Sequence, residues 1–498
     1  METLNKKMSR SVVIIGAGFA GLSSAAFLAK EGWDVTVVEK NAAAGGRASQ
    51  FTEQGFTFDM GPSWYWMPDV FERFFSNFGK TVSDYYTLSR LDPSYRIYWE
   101  SGKTDIPANY DALREIFEKL EPGTAKRLDN YLSEAADKYR IGMQELVYKP
   151  GLSWREFVDW QVIRNVFKLD IFSSIKKHIG KHFSNRRLQQ IMEFPVLFLG
   201  ALPENTPALY SLMNYADIKC GTWYPDGGMY SIVKAMKSLC DELGVKFLFN
   251  EPATQIVIMD GRAKFLKTVD SLIPADVIIS SADYQFTEST LLPEYLRTYS
   301  DQYWNKKQLA PSCLIFYVGL DIKLDVQHHS LFFDVPFDAH ASEIYDDPQW
   351  PTNPLFYLCA PSKTDLNVAP PGCENLFFLI PIAAGLQNDN EKRRTTYFDN
   401  IIHRLEEKTG REIRSHIIFK RSYSVSDFVS DYNSYKGNAY GLANTLMQTA
   451  ILKPSCRSKK VKNLFYAGQF TVPGPGVPPA LISGEVVAKE VIKHYNNQ

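Results

Sequence analysis

The sequence is poor in cysteine. Its 498 residues contain six cysteines, and no two of them are spaced as a CxxC pair. Scattered thiols of this kind are typical of a reducing compartment, and they provide neither a disulfide framework nor a zinc site. His328 and His329 are adjacent in sequence, which places them poorly for sharing one metal ion, so we interpret them as surface histidines. The sequence therefore predicts free thiols and no bound metal.

Long apolar runs and an excess of one charge are also absent. Residues 376–385 form one of the longest apolar runs, well short of the roughly 20 residues that a transmembrane helix needs. The 55 basic and 56 acidic residues nearly cancel, which argues against general binding to nucleic acid. The chain is too long for one hydrophobic core, so we expect two or more domains. Aromatic residues, at 14% of the chain, indicate large apolar surfaces.

The most informative stretch is residues 12–39. A β-branched run at 12–15, bounded by glycine, predicts a buried parallel strand. Residues 23–30 are mostly good helix formers, and Gly32 follows them where a C-cap glycine belongs. A second β-branched run at 35–38 then ends in a carboxylate. The order strand, glycine turn, helix and strand predicts a βαβ unit.

Each glycine of the GxGxxG turn at residues 16–21 has a physical role. Gly16 permits the tight turn, Gly18 lets backbone N–H groups reach a pyrophosphate, and Gly21 lets the helix and strand pack closely. The N-terminus of the helix supplies partial positive charge to the phosphates. Glu39 follows at the spacing of an acid that accepts hydrogen bonds from a ribose diol. The stretch therefore predicts a dinucleotide site.

Two further segments favour a flavin over a nicotinamide cofactor. Residues 45–47 (Gly-Gly-Arg) follow the acidic residue closely, where the chain and a guanidinium group would meet the cofactor again. Near the end of the chain, a strand at 463–466 enters a glycine turn, and a proline-rich stretch then opens a helix at Ala480. Such a helix, with its N-terminus at a flavin, would stabilise negative charge on the reduced ring.

Aromatic side chains are concentrated just after the first of these segments. Two interpretations stay open for them, a domain core and the wall of a large apolar substrate cavity. Residues 193–200, which are apolar and interrupted by proline, are a second candidate for a cavity wall. The concentrated aromatic residues are Trp64, Tyr65, Trp66, Phe71, Phe74, Phe75 and Phe78.

Residues 153–187 predict a basic amphipathic helix. Ser153 and Glu156 form a capping box, with Leu152 and Phe157 as a hydrophobic staple. A helix of this kind with aromatic residues on its apolar side can lie in a membrane interface. An ordinary surface helix packed on the core is the alternative, and both stay open. The apolar positions that recur at helical spacing are Trp160, Ile163, Phe167, Ile171, Ile175 and Ile179.

The middle of the chain returns to the nucleotide-binding domain. A glycine turn at 225–229 opens a helix at 231–243, and strand-like runs follow at 245–249 and 277–282. We therefore expect discontinuous domains. The predicted FAD-binding domain comprises residues 1–70, 221–290 and 457–498, and the predicted substrate and membrane-associating domain comprises residues 71–220 and 291–456.

Both ends of the chain resemble one family, the bacterial-type phytoene and carotenoid desaturases, which are flavoproteins of the amine-oxidase superfamily. The resemblance spans nearly the whole chain and is most specific at residues 467–478. This family usually carries Thr-His-Pro-Gly-x-Gly-Val-Pro there, whereas Val472 replaces the histidine in this chain. Within the family, the sequence is most similar to hydroxycarotenoid 3,4-desaturases.

The resemblance implies an α/β fold. It would combine a Rossmann-type FAD-binding domain with a discontinuous α+β substrate domain and a helical membrane-associating part. Catalytic residues are not assigned. The residues that we expect to bind FAD, from the motifs and the resemblance together, are Gly16, Ala17, Gly18, Ala20, Gly21, Glu39, Lys40, Gly46, Arg47, Gly61, Pro62, Ser63, Ala253, Gly468, Gln469, Gly476, Val477 and Pro478.

The resemblance also implies an activity. An FAD-dependent oxidoreductase would introduce a C=C bond into an acyclic carotenoid, with 3,4-desaturation of a 1′-hydroxycarotenoid as the preferred hypothesis. The alternatives are a phytoene desaturase, a carotenoid isomerase or amine oxidase of the same superfamily, and a non-catalytic lipid-binding relative. The implied partners are a long apolar carotenoid, a membrane surface and oxygen or a quinone as electron acceptor. We expect a cytoplasmic protein attached peripherally to the inner face of the cell membrane.

Overall fold

The strands of the protein form two large sheets and several small ones. The computed structural model describes residues 10–153, 156, 173–197, 200 and 202–496. The strands are β1 Ser11–Ile15, β2 Asp34–Val38, β3 Gln50–Glu53, β4 Phe56–Asp59, β5 Leu88–Arg90, β6 Tyr95–Trp99, β7 Lys103–Ile106, β8 Trp223–Pro225, β9 Lys246–Leu248, β10 Ala253–Met259, β11 Arg262–Thr268, β12 Leu272–Pro274, β13 Val277–Ser280, β14 Ser312–Leu320, β15 His329–Phe333, β16 Phe356–Cys359, β17 Glu374–Ile382, β18 Ile417–Tyr423 and β19 Leu464–Tyr466.

The first large sheet is five-stranded and parallel, in the order β19-β13-β1-β2-β9. Strand β1 lies in the middle, with Val13 opposite Ile278 on one side and Thr36 on the other. Its residues 12–15 are buried, as expected for a parallel strand with both faces covered. The predicted βαβ unit is confirmed: a helix at Phe19–Lys30 joins β1 to β2. Gly32 ends that helix with a φ of +81°.

The second large sheet has seven strands in the order β18-β14-β17-β16-β15-β6-β7. Its pairs are antiparallel except for the parallel pair β15 and β6. One face packs under the helix Glu391–Thr409, whose Ile401 and Leu405 are fully buried. The other face joins the main hydrophobic core through alternating residues such as Ile315 and Leu379. The period of two in each strand divides these residues between the faces.

Helices surround both sheets. No helix within the described ranges is both long enough and apolar enough to cross a bilayer. Residues 193–197, predicted as a proline-broken apolar stretch, belong to a helix that contains Pro195. The α-helices in the described residues span Phe19–Lys30, Pro68–Ser76, Tyr110–Leu120, Thr124–Ile141, Ile175–His182, Arg186–Leu197, Leu212–Tyr215, Tyr230–Glu242, Tyr284–Leu291, Asp301–Asn305, Phe337–Tyr345, Glu391–Thr409, Val425–Tyr432 and Val477–Asn496.

The predicted basic amphipathic helix is described only in part. Its residues 157–172, with Trp160, Ile163, Phe167 and Ile171, lie outside the described residues. At the start, Glu156 Oε1 accepts the N–H of Ser153 at 3.0 Å, which is one half of the predicted capping box. At the end, Ile175 and Ile179 are fully buried. In this last section the apolar stripe therefore packs on the core.

The five-stranded sheet draws its strands from three separate parts of the chain. Strands β1 and β2 come from the first part, β9 and β13 from the middle, and β19 from the end. The helix Val477–Asn496 packs along the helix Phe19–Lys30, and Ser24 Oγ donates to the Gly484 carbonyl at 3.0 Å. The domain boundaries given above stay a prediction. All six cysteines are free thiols.

Candidate cofactor and substrate site

One cavity lies where the five-stranded sheet meets the seven-stranded sheet. The predicted cofactor residues line it, with the exceptions of Ala17 and Gly21. They come from the first turn, from residues 45–63, from the start of β10 and from the end of the chain. Tertiary folding thus brings the predicted set into one continuous space. That each of these residues contacts FAD stays a prediction.

The glycine turn after β1 has distinct constraints at each position. A Cβ atom on Gly18 would meet nothing within 4 Å, because this position faces the cavity. A Cβ atom on Gly21 would lie 2.0 Å from the carbonyl oxygen of Gly16. Gly21 therefore lets the helix approach the strand, as predicted, and does not line the cavity. Ala17 lies below the cavity wall and donates its N–H to Glu39 Oε2 at 2.8 Å.

Glu39 lies at the carboxyl end of β2, with 5% of its surface exposed. Its Oε1 accepts the N–H of Asn41 at 2.9 Å. Burial raises the pKa of the Glu39 carboxyl, and the N–H groups of Ala17 and Asn41 oppose that rise. Each carboxylate oxygen retains a further lone pair, so the two N–H groups orient the carboxylate without using up its capacity to bind a diol.

Arg47 is partly buried at the side of the cavity. Its Nη2 donates to Ser434 Oγ at 3.0 Å and to the Asn438 carbonyl at 3.3 Å. Burial lowers the pKa of Arg47, and the charge of Asp283 opposes this. The side chain thus joins the segment that follows β2 to residues 434–438. Gly45, two residues before Arg47, has a φ of +130°, a backbone conformation that favours glycine.

The end of the chain closes the cavity from the opposite side. Gly468 follows β19, and its N–H donates to Ser483 Oγ at 2.9 Å. The helix Val477–Asn496 begins with residues that line the cavity. Its first N–H groups have no partner within the helix, and proline at Pro478 suits this position. The N-termini of two helices, Phe19–Lys30 and Val477–Asn496, therefore face one space.

The concentrated aromatic residues serve both of the functions that the sequence left open. Trp64 and Trp66 line the cavity, whereas Phe71, Phe74 and Phe75 are fully buried in the main core. The strand-like segment before them crosses the cavity, and the helix Pro68–Ser76 then turns away from it. Tyr65 is fully buried in the core before that helix begins, and Phe71, Phe74 and Phe75 follow it there.

Sequence reasoning missed the part of the site that the seven-stranded sheet provides. Ile315, Leu379 and Tyr357 form a row across β14, β17 and β16, because each lies opposite the next in the strand register. All three line the cavity. The sequence signal for this row was the alternation of residues between the two faces of these strands. Alternation alone does not show which face of the sheet meets the cofactor-binding residues.

The two adjacent histidines correct a prediction. His328 and His329 are buried, with 4% and 0% of their surfaces exposed, and are not surface histidines. The prediction was wrong because β15 lies inside the seven-stranded sheet between β16 and β6. His329 Nδ1 lies 2.6 Å from Tyr357 Oη, and His328 Nδ1 lies 2.7 Å from Thr364 Oγ1. Burial lowers the pKa of both imidazoles.

These histidines are also close enough in space to share a ligand, contrary to the argument from sequence. One ring nitrogen of each histidine and Sγ of Cys359 lie within 4.8 Å of one another. All three side chains are buried, and burial raises the pKa of the Cys359 thiol to about 12. A thiolate is the form that binds metal, so this environment does not favour an ion. The absence of a metal stays a prediction.

The cavity fits a flavin dinucleotide. Its wall offers an open approach at Gly18 for a pyrophosphate, a buried carboxylate at Glu39 for a ribose, and two helix N-termini for negative charge. The space then continues past Gly61 and Pro62 to an aromatic wall. A pocket with polar groups at one end and apolar groups at the other can hold a cofactor and an apolar substrate together.

The fold and this cavity define a class of protein. The sequence profile of the family described as flavin containing amine oxidoreductase matches residues 19–492, and the chain belongs to this family. The predicted flavin family and its FAD cofactor are thereby confirmed. In the structure-based comparison, an oxidoreductase from Methanosarcina mazei shares the fold, with a TM-score of 0.61 at 17% identity over 96% of this chain and 100% of that one.

The descriptions of curated relatives are narrower than that of the family. A carotenoid 3,4-desaturase of Haloarcula japonica is 42% identical over 97% of this chain and 98% of that protein. A zeta-carotene-forming phytoene desaturase of Myxococcus xanthus is 30% identical over 97% of this chain and 94% of that protein. Both are similar to this chain over nearly its whole length, so the similarity includes the cofactor half and the substrate half alike.

Proposed function

We propose that this protein is an FAD-dependent carotenoid desaturase. The observation that carries the proposal is the apolar extension of the cofactor cavity, lined by Trp64, Ile315 and Leu379, in a chain 42% identical to a carotenoid 3,4-desaturase. A polyene offers no charged group for recognition. A wall of aromatic and aliphatic side chains suits such a substrate, because burial of apolar surface then supplies the binding energy.

The proposed chemistry forms a double bond by loss of a hydride and a proton from adjacent carbons. FAD, when bound, supplies the hydride acceptor. The residues of the chain position the two reactants and exclude water. Ile315, Leu379 and Tyr357 form one side of the cavity, and their positions relative to one another are fixed because they belong to neighbouring strands of one sheet.

For the position of the new double bond, we propose 3,4-desaturation of a hydroxylated acyclic carotenoid. The support is the identity to the Haloarcula enzyme, which exceeds the 30% identity to the phytoene desaturase, together with Val472 in place of the usual histidine. Phytoene is colourless and less desaturated, and the two substrates differ along most of their length. Reoxidation by oxygen or a quinone is part of the proposal.

We further propose that the protein takes its substrate from a membrane surface. The support is a group of exposed apolar residues, Leu152, Met447 and Leu452, which are 38%, 74% and 39% exposed. They flank a close approach of Gly151 to the Ala450 carbonyl. The exposed Lys177 and Lys181 belong to the helix Ile175–His182, and cations near an anionic surface add attraction.

The test uses the FAD-loaded enzyme in liposomes. We expect a higher kcat/KM for a hydroxylated lycopene-like polyene than for phytoene under identical lipid conditions, with a product that carries one more conjugated double bond. Faster turnover of phytoene would move the substrate assignment to the phytoene desaturases. Conversion without a net change in hydrogen content would indicate an isomerase, and a flavin-loaded protein that converts no polyene would contradict the proposal.

A further inference from the structure

A string of hydrogen-bonded polar groups crosses the apolar end of the cavity. Ser63 Oγ lies 2.9 Å from Tyr357 Oη, and Tyr357 Oη lies 2.6 Å from His329 Nδ1. Ser63 and Tyr357 line the cavity, and His329 lies fully buried behind them. The groups therefore form a line that leads from the interior of the sheet to the cavity wall.

The string is held rigidly. The imidazole of His329 stacks on the indole of Trp64 with ring centroids 4.0 Å apart and an interplanar angle of 10°. Tyr357 lies on β16 opposite Leu379 of β17, so the paired strands fix its backbone. Ser63 directly follows Gly61 and Pro62, which line the cofactor cavity. A rigid polar group in an apolar wall is the arrangement that fixes the orientation of a ligand.

The string is also electrically neutral. Burial holds the pKa of His329 well below its ordinary value, with a smaller contribution from His328. Burial also holds the pKa of Tyr357 well above its ordinary value. At neutral pH the string thus contains an uncharged imidazole, a phenol and an alcohol. Such a string lacks the negative charge that would offset the cost of burying an ammonium group.

The hydrogens of the string determine what it can bind. If His329 Nδ1 accepts from Tyr357, the phenol accepts from Ser63, and Ser63 Oγ keeps a lone pair for a ligand. If His329 Nδ1 donates to Tyr357, the phenol donates to Ser63, whose own O–H is then available to a ligand. A hydroxyl group both donates and accepts, so it matches either arrangement. A carbonyl or an ether matches only the second.

We infer that Ser63 and Tyr357 form a subsite for a hydroxyl group on the substrate, on the end group next to the bond that is oxidised. The inference rests on the proposed function and adds the side chains that recognise the substrate. Ser63 is itself one of the residues predicted to hold the flavin, so the subsite lies beside the cofactor. The C3–C4 bond is only a few carbons from the end of an acyclic carotenoid. This position of the hydroxyl differs from that of the 1′-hydroxycarotenoid expected from the family resemblance, in which the hydroxyl is at the opposite end of the polyene.

The test is regiochemical and uses a polyene with a single hydroxylated end. The wild-type holoenzyme should place the new double bond at the hydroxylated end, because only that end completes the string. Tyr357→Phe removes the central hydroxyl and should distribute the product between both ends. A ratio of products from one reaction does not depend on the overall rate or on the fraction of folded protein.

Binding gives a second readout. We expect the wild type to bind the hydroxylated polyene about 5- to 100-fold more tightly than the deoxy polyene, measured by quenching of tryptophan fluorescence. Tyr357→Phe should bring the two dissociation constants together. The control is Tyr98→Phe, since Tyr98 Oη donates to the Asp325 carbonyl on the opposite face of the same sheet. If Tyr357→Phe does not fold, Ser63→Ala replaces it in both experiments, after its flavin content has been measured.

The outcomes separate the inference from the proposed function. If the wild type desaturates both ends equally and Tyr357→Phe does the same, the hydroxyl subsite is wrong and carotenoid desaturation stands. If the wild type selects the hydroxylated end and the variant keeps that selection, other groups recognise the hydroxyl and the inference is wrong. If the wild-type holoenzyme desaturates no polyene, both statements fail.

Discussion

At the scale of single residues, two glycines of the same turn have opposite constraints. Gly18 has an extended backbone, with φ −78° and ψ −178°, and the space beyond its missing Cβ belongs to the cavity. The missing Cβ of Gly21 instead points at a backbone oxygen 2.0 Å away. Gly18 thus leaves space for a ligand, whereas Gly21 allows the helix and the strand to pack closely.

This difference gives a prediction. Gly18→Val should fold normally but lose FAD, because its side chain occupies the approach to the pyrophosphate. Gly21→Val should lose the fold itself, with little protein recovered. The measurements are the flavin absorbance per protein and the unfolding temperature of the apoprotein. The control is Gly180→Ala, at an exposed position of the helix Ile175–His182. Full flavin occupancy in Gly18→Val would show that the cofactor is held elsewhere.

At the scale of elements, Asp59 joins the hairpin of β3 and β4 to the helix Tyr230–Glu242. Its Oδ2 accepts the N–H of Met229 at 2.7 Å, and its Oδ1 accepts the N–H of Tyr230 at 3.2 Å. These N–H groups belong to the first turn of the helix, where a carboxylate is favoured. Burial nevertheless raises the pKa of Asp59 from 3.8 to about 6.

The raised pKa predicts a pH dependence. Between about pH 4 and pH 6 the folded protein keeps a proton on Asp59 that the unfolded chain loses, so this group stabilises the fold less as the pH rises. A shift of this size corresponds to about 3 kcal/mol. Asp59→Asn should remove this contribution to the pH dependence of the unfolding temperature, measured from pH 4.5 to 7. An unchanged slope would contradict the assignment, and Asp270→Asn, at an exposed turn, is the control.

At the scale of the whole molecule, the cavity depends on the docking of two sheets. Gly18 and Glu39 follow strands β1 and β2 of the parallel sheet, whereas Tyr357 and Leu379 lie on strands of the mixed sheet. Residues distant in sequence also join the two ends of the chain: Arg73 forms a bidentate pair with the fully buried Glu485 at 2.9 and 3.0 Å. The proposed membrane surface likewise combines residues that are distant in sequence.

Membrane attachment is tested by charge reversal. Lys177→Glu with Lys181→Glu should weaken binding to anionic vesicles by about 30-fold or more, since each lysine near such a surface contributes about 1 kcal/mol. Lys176 is left unchanged, because it pairs with Glu204 at 3.2 Å. Salt should weaken wild-type binding in the same way. Equal sedimentation of the double variant with vesicles would exclude this face, and Lys460→Glu with Lys462→Glu is the matched control.

The sequence alone determined the parts whose physics is local. A β-branched run, a glycine turn and a helix ending at Gly32 specify the βαβ unit because strand and helix preferences act over a few residues. The family and its FAD cofactor follow from two such segments. Most of the predicted cofactor residues belong to these segments, and the structure gathers nearly all of the predicted set around one cavity.

Only the tertiary structure decided what lies opposite the cofactor. The alternation in β14, β16 and β17 divides residues between two faces, but nothing within a strand says which face will meet another domain. His329 shows the consequence: its neighbours in sequence suggested a surface position, whereas strand pairing buries it behind Tyr357. The substrate wall is thus a product of docking between distant segments, and contacts over such separations leave no periodic signal in the sequence.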